Sequence, residues 1–241
     1  MLFLYLLVIL NFIKMDKTNF IEKKAFNLEE ALEKIGKEVS IYPKAAMFEL
    51  SEKGFGSTFE QLIACMISIR TRDEVTLKVA YNLFKKVRTP GEFIKLGQVE
   101  LDKLIQGSTY HEQKSYRMIE ISEIIINQHQ GQLPCSQEVL LSLPGVGPKC
   151  ANLVLGVACN QPFISVDIHV HRVTNRWGYI NQKTPEATLK ELEKKVPKEL
   201  WIDINRVLMP FGKHICTGTL PKCSTCPVLD MCEQVGVTEH R

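Results

Sequence analysis

Apolar residues recur along the chain at three- and four-residue intervals, the period of a helix that buries one face. Leu28, Ala31, Leu32 and Ile35 form one such stripe, Phe59, Leu62, Ile63 and Met66 a second, and Val75, Val79, Leu83 and Val87 a third. Each follows a polar start signal. Asn27-x-x-Glu30, Ser57-x-x-Glu60 and Thr71-x-x-Glu74 have the form of capping boxes, in which a short side chain accepts from a free first-turn amide and an acid three residues on reaches back. Thr89-Pro90-Gly91-Glu92 and Thr184-Pro185-Glu186 start further helices with proline at the first position, where its missing N–H is no loss. Hardly any segment shows the period-two alternation of a half-buried strand. The predicted fold class is all-α.

One stretch turns this rhythm sharply. Ser136 to Leu143 reads as a short helix with Val139, Leu140 and Leu143 on one side, and Leu143-Pro144-Gly145-Val146-Gly147-Pro148-Lys149-Cys150-Ala151 follows. Pro144-Gly145 stops the first helix, and Gly145 and Gly147 are free to take positive φ values and close backbone approach. Pro148 then opens a second helix that Ala151, Leu155 and Ala158 carry on. Its free N-terminal amides make a phosphate cradle, with Lys149 in the first turn. The arrangement resembles the helix-hairpin-helix of DNA-binding proteins, but Gly-x-Gly alone leaves an ordinary helical corner equally open. Downstream, Phe163, Ile164 and Val166 lead to Asp167, a residue suited to cap the helix of Val170, Val173 and Trp177.

Cysteine usage adds a third feature. Cys216, Cys223, Cys226 and Cys232 are spaced C-x6-C-x2-C-x5-C, and four thiolates in so short a segment suit a metal centre, because sulfur binds soft metals and an irregular segment gains fold from ligation. Ligand chemistry alone leaves zinc and iron–sulfur both open. Disulfides among these four are a poor third, since no secretory signature is present. Cys65, Cys135, Cys150 and Cys159 lie outside the spacing and are read as small apolar side chains without chemistry.

Charge changes the picture little. A net charge of +3 and a pI of about 8.3 permit a nucleic-acid partner without requiring one, and 241 residues suffice for two modest cores. Met1 to Ile13 is almost wholly apolar, yet shorter than the roughly 20 residues of a membrane helix. It lacks the basic start and cleavage site of a secretory signal, so a true start at Met15 is expected and a membrane partner is not.

Hairpin, Lys149, the Val166-Asp167-Ile168-His169 motif eighteen positions on and the cysteine spacing together resemble the endonuclease III family of helix-hairpin-helix DNA glycosylases. The match runs from about Leu28 to Cys232. This resemblance, rather than ligand chemistry, selects a [4Fe-4S] cluster on the four cysteines. It implies a six-helix barrel domain at 56–160, with the helix-hairpin-helix at 136–159. Residues 16–55 and 161–241 would pack together as a discontinuous cluster domain, its loop at 216–232, after an extension at 1–15.

The resemblance further implies a bifunctional DNA glycosylase and abasic-site lyase of base excision repair, acting on oxidised or ring-fragmented pyrimidines. Lys149 would attack the sugar C1′, expel the base and leave a Schiff base, from which β-elimination cuts the strand 3′ to the abasic site. A helix N-terminus and partial desolvation would disfavour the cationic form of Lys149. Asp167 would take up the proton or stabilise positive charge on the sugar. Gly145, Val146 and Gly147 would meet the DNA backbone, and His169 would support the Asp167 neighbourhood. Arg70 stands where the family carries a glutamine that enters the gap left by the flipped nucleotide, and Tyr110 and His111 would supply a second wedge. Between the first two cluster cysteines the family often carries several basic residues, whereas this chain has only Lys222; Lys213 and His214 are the expected substitutes.

The implied partner is double-stranded DNA with a damaged base or abasic site, with no small-molecule substrate and a monomeric protein. The compartment would be the cytoplasm, at the nucleoid, in a bacterium or archaeon, and the nucleus or mitochondrion in a eukaryote. Two alternatives remain. One is a non-catalytic DNA-binding or redox-sensing iron–sulfur module, against which Lys149 with Asp167 speaks. The other is a glycosylase for a different lesion such as mispaired adenine, whose members lack this lysine and carry an extra recognition domain.

Overall fold

The structure, a computed structural model, describes residues 23–241; the apolar extension and the expected start at Met15 lie outside the described residues. Among these, twelve α-helices and two 3-10 turns occur and no strand, as the apolar periodicity predicts. The helices are α1 (Leu28–Val39), α2 (Ala46–Glu52), α3 (Thr58–Ser68), α4 (Asp73–Phe84), α5 (Pro90–Leu96), α6 (Gln98–Ile105), α7 (His111–His129), α8 (Gln137–Ser142), α9 (Pro148–Cys159), α10 (Ile168–Arg176), α11 (Pro185–Lys195) and α12 (Trp201–His214). The 3-10 turns are Lys198–Leu200 and Cys223–Thr225. No helix among the described residues is long and apolar enough to cross a membrane.

Most start signals act as their chemistry requires. Ser57 and Glu60 form a reciprocal box, with Oγ accepting from the Glu60 amide at 3.2 Å and the Glu60 carboxylate from the Ser57 amide at 3.0 Å. Thr89 and Glu92 repeat it, and Asn27 and Thr184 cap α1 and α11. Each cap is worth about 1 kcal/mol. Thr71 does not cap: α4 begins at Asp73, behind an Arg72 that offers no side-chain bond. The Thr71 hydroxyl instead accepts from the Thr109 amide and the Lys114 amine, both at 3.1 Å. A tertiary contact has displaced the local one.

Two hydrophobic cores result. In the first, Leu50, Leu62, Ile63, Leu83, Phe84, Phe93, Leu101, Ile105, Ile121 and Leu155 are completely or almost completely buried. In the second, Ile35 of α1 meets Ile164, Val173, Trp177, Leu208, Phe211 and Val228. A fully buried side chain of this kind contributes about 1.5–3 kcal/mol. The first core also contains Met47, Leu50 and Phe55, so the division between the cores falls ahead of Ala46 and not at the expected 55/56. The reason is that the apolar face of α2 turns toward α3 and α4, and Asp73 at the head of α4 caps α2 by accepting from the Ala46 amide at 3.1 and 3.2 Å.

The chain therefore passes between the cores at 40–45 and again at 160–166. The second crossing is clamped on both sides. Asn152 of α9 donates to Ile164 O at 2.8 Å, Ser165 Oγ donates to Lys149 O at 2.8 Å, and Asn205 of α12 accepts from the Ser165 amide at 3.1 Å. This crossing carries the chain from the helix of Lys149 to the helix of Asp167.

Candidate active site

The hairpin is built by burying its middle and exposing its rim. Val146 is buried in the first core and its amide donates to Leu143 O at 3.2 Å, while Gly145, Gly147, Pro148 and Lys149 are exposed. Gly145 has φ +78° with open space around it, so backbone conformation rather than crowding selects glycine there. Gly147 differs from expectation: at φ −102° and ψ 174° it is an extended N-cap that any residue could adopt. Lys149 follows in the first turn of α9. Because it is exposed, the protein alone does not supply the desolvation expected for it.

Behind the hairpin, Cys65 and Cys150 are buried, as their apolar surroundings predict. Hydrogen bonding to Cys65, followed by burial, pushes the Cys150 thiol well above its ordinary range. Cys135 and Cys159, expected to be without chemistry, are instead joined as a disulfide. The hairpin folds the start of α8 back against the end of α9, bringing together two cysteines 24 residues apart. Sequence spacing carries no sign of that.

Asp167 heads α10 from the other core. Its Oδ1 accepts from the His169 and Val170 amides, each at 2.8 Å. Capping occupies this one carboxylate oxygen. Ser165, two residues upstream, donates to the Lys149 carbonyl, so the backbones at the two expected catalytic residues are tied together.

His169 is held in place and burial lowers its pKa. Its Nδ1 lies 3.1 Å from Arg172 Nη2, a group that can only donate. The ring sits on Gly212, where an added Cβ would stand 2.8 Å from His169 Cβ. Arg172 also donates to Gly212 O at 2.7 Å and Cys216 O at 3.1 Å, and Arg176 donates to Cys216 Sγ at 3.6 Å and Gly218 O at 2.8 Å. The Asp167 helix is bolted to the cysteine segment through two arginines one turn apart.

The four cysteines line one pocket, partly open to solvent, with Arg176, Trp177, Ile215 and Leu229. Among the described residues, no group of three or more His, Cys, Asp or Glu side chains is arranged to hold a metal ion. Burial raises the Cys216 thiol and pushes Cys226 up to about 12 and Cys232 up to about 11. The Gln234 amide donates to Cys232 Sγ at 3.4 Å. Any ligation must therefore displace protons, which couples it to pH.

At two turns expected to meet DNA, Arg70 and Tyr110 are exposed and left-handed, with φ 55° and 58°. Non-glycine residues there cost about 1–2 kcal/mol each and persist where surroundings enforce them. Arg70 Nη1 donates to the Tyr110 hydroxyl at 3.3 Å. His111, expected beside Tyr110 as a wedge, turns inward to Asp102, Nδ1 to Oδ1 2.7 Å. Lys222 is half-buried over the Tyr42 ring at 6.0 Å. The expected substitutes are also engaged: Lys213 pairs with Glu74 at 2.6 Å, and His214 stacks on Tyr42 at 4.4 Å. Sequence reasoning missed Ser165, Arg172, Arg176 and Gly212; arginines four apart on the Asp167 helix were the only visible signal.

Comparison with known proteins agrees with this geometry. Residues 63–198 match the family model described as HhH-GPD superfamily base excision DNA repair protein. The endonuclease III of Thermotoga maritima is 43% identical over 175 residues, covering 73% of this chain and 82% of that protein. The endonuclease III of Escherichia coli strain K12 is 34% identical over 183 residues, covering 76% and 87%. A solved structure of a trapped endonuclease III–DNA covalent intermediate superimposes with a TM-score of 0.72 at 29% identity, covering 86% of this chain and 94% of that one. A non-covalent endonuclease III–DNA complex gives 0.73 at the same identity.

Proposed function

The chain belongs to the HhH-GPD superfamily of base excision DNA repair proteins, among its endonuclease III members, and from that membership we propose that Lys149 and Asp167 are its catalytic pair. The enzyme is a DNA glycosylase and abasic-site lyase, and DNA is its partner. What supports the residue assignment is the clamp at 160–166, which ties the Lys149 carbonyl to Ser165, two residues ahead of Asp167. The exposed Lys149 amine would meet the sugar C1′ of a nucleotide turned out of the stack, and the bound duplex would supply the desolvation. Asp167, with one oxygen capping α10, has the other for the proton or for positive charge on the sugar.

The substrates we assign are oxidised or ring-fragmented pyrimidines in duplex DNA, processed by a monomer. Borohydride trapping on a panel of duplexes carrying such lesions, uracil or mispaired adenine tests this. Adducts on the damaged pyrimidines are expected; preferential removal of adenine would overturn it.

The cysteine segment fits a [4Fe-4S] cluster, held by Cys216, Cys223, Cys226 and Cys232. Four thiols lining one pocket form a soft donor set that suits iron–sulfur ligation. When bound, the cluster supplies a rigid crosslink for the segment. Arg172 and Arg176 tie that segment to the middle and end of α10. About four irons per chain are expected in anaerobically purified protein, with iron lost in Cys226→Ser; zinc in place of iron would refute this ligation.

Arg70 we assign to the base opposite the lesion. Arginine only donates, where glutamine both donates and accepts, so guanine with O6 and N7 is the favoured partner over adenine, by ~1–3 kcal/mol for a bidentate contact. In Arg70→Gln the guanine-to-adenine rate ratio is expected to collapse. An unchanged ratio with a log-affinity against log-salt slope shallower by about 1 would show that Arg70 grips a phosphate instead.

A further inference from the structure

One buried cation has no part in the chemistry described so far. Lys114, in the opening turn of α7, is 7% exposed, although lysine is almost never buried without partners. Its amine donates to Ile67 O at 2.7 Å, Ile69 O at 2.9 Å and Thr71 Oγ1 at 3.1 Å. An ammonium has three N–H donors, and each meets one acceptor. Two of these are carbonyls at the C-terminal end of α3, where a helix leaves carbonyls unpartnered and its dipole is negative. Burial brings the Lys114 pKa from 10.5 down to about 8, which keeps the three-donor form at neutral pH.

The same contacts join two turns. Thr71 Oγ1 accepts from Lys114 and also from the Thr109 amide at 3.1 Å, and Thr109 Oγ1 donates to Arg70 O at 2.9 Å. Arg70 and Tyr110 stand on either side of this junction, both left-handed, with the Tyr110 side bonded to the Arg70 guanidinium. Tyr110 is 52% exposed. Two strained, exposed side chains thus share one buried anchor.

We propose that Lys114 is a positioning residue for base extrusion, locking the Arg70 and Tyr110 turns into one rigid two-pronged wedge that enters the duplex as a unit. This rests on the reading of the chain as a glycosylase. Extruding a nucleotide costs unstacking, and a wedge already held in its working shape loses little conformational freedom on insertion.

Lys114→Met and Thr71→Val in the full chain test it in two assays. Fluorescence of 2-aminopurine placed beside a stable abasic-site analogue reports unstacking with no bond broken. Single-turnover excision is then compared for one damaged base in a paired duplex and in a bubble, where that base is already unpaired. Lys114→Met is expected to slow duplex excision roughly 10-fold, equivalent to about 1.4 kcal/mol, to reduce the fluorescence rise, and to leave the bubble rate close to wild type. Thr71→Val removes only the shared hydroxyl and should move the duplex-to-bubble ratio the same way by less. Equal losses on duplex and bubble would reduce Lys114 to a support of the fold. Should Lys114→Met fail to fold, an unchanged ratio and fluorescence in Thr71→Val would overturn the proposal. A wild-type protein that unstacks 2-aminopurine yet excises nothing would instead overturn the glycosylase reading, and the wedge would be judged on fluorescence alone.

Discussion

Lys149→Gln is expected to form no borohydride-stable adduct with abasic-site DNA and to lose strand cleavage by a factor on the order of 10⁴–10⁶, the scale on which removal of a nucleophile acts. The Schiff base needs an amine nitrogen with a lone pair, which the amide of glutamine does not offer. The structure makes the experiment clean. Lys149 is exposed, and what ties its backbone to the crossing is its carbonyl, bound by Ser165, which the substitution leaves in place. Stability should therefore change by no more than about 0.5 kcal/mol. Electrophoresis of the reduced complex is the measurement, and an adduct of wild-type yield in the variant would transfer the chemistry to another amine.

Asp167→Asn should slow base removal by roughly 10²–10⁴, the range for loss of a positioned proton acceptor, while DNA affinity stays close to wild type. Asparagine is chosen because Asp167 performs two tasks. Its Oδ1 accepts two amides at 2.8 Å, and an asparagine carbonyl oxygen can accept both, so α10 remains capped. Asp167→Ala removes the cap as well and should cost about 1 kcal/mol of stability in addition. A thermal midpoint that falls in Ala but not in Asn, with excision slow in both, separates the two tasks. Excision at the wild-type rate in Asn would remove Asp167 from the mechanism and leave it a cap.

The position of the candidate site was legible because its signals are short. Pro144-Gly145 and Pro148 announce a turn and a helix start within five residues, and the cysteine spacing is a property of one segment. The supporting shell was not. Arg172 reaches Gly212 and Cys216, 40 and 44 residues away, and nothing in an arginine's immediate sequence records what it will meet. His111 and Lys213 read as free basic residues until the neighbours that hold them, Asp102 and Glu74, are known.

By itself, the sequence determined where helices begin, which faces they bury and which nine-residue stretch bends into a hairpin, since a cap, a proline or a positive-φ glycine acts within one turn of chain. Tertiary structure decided what those local choices do together. Thr71 has the form of a cap, yet its hydroxyl is taken by Thr109 and Lys114 from across the junction, because a buried ammonium needs its acceptors more than an exposed helix end needs its cap. Helix α2 follows α1 closely in sequence, yet packs in the other core. Cys135 and Cys159 meet only once the hairpin has folded α8 back on α9. In each case the deciding energy comes from burial and hydrogen bonding between residues distant in the chain, which no local pattern encodes.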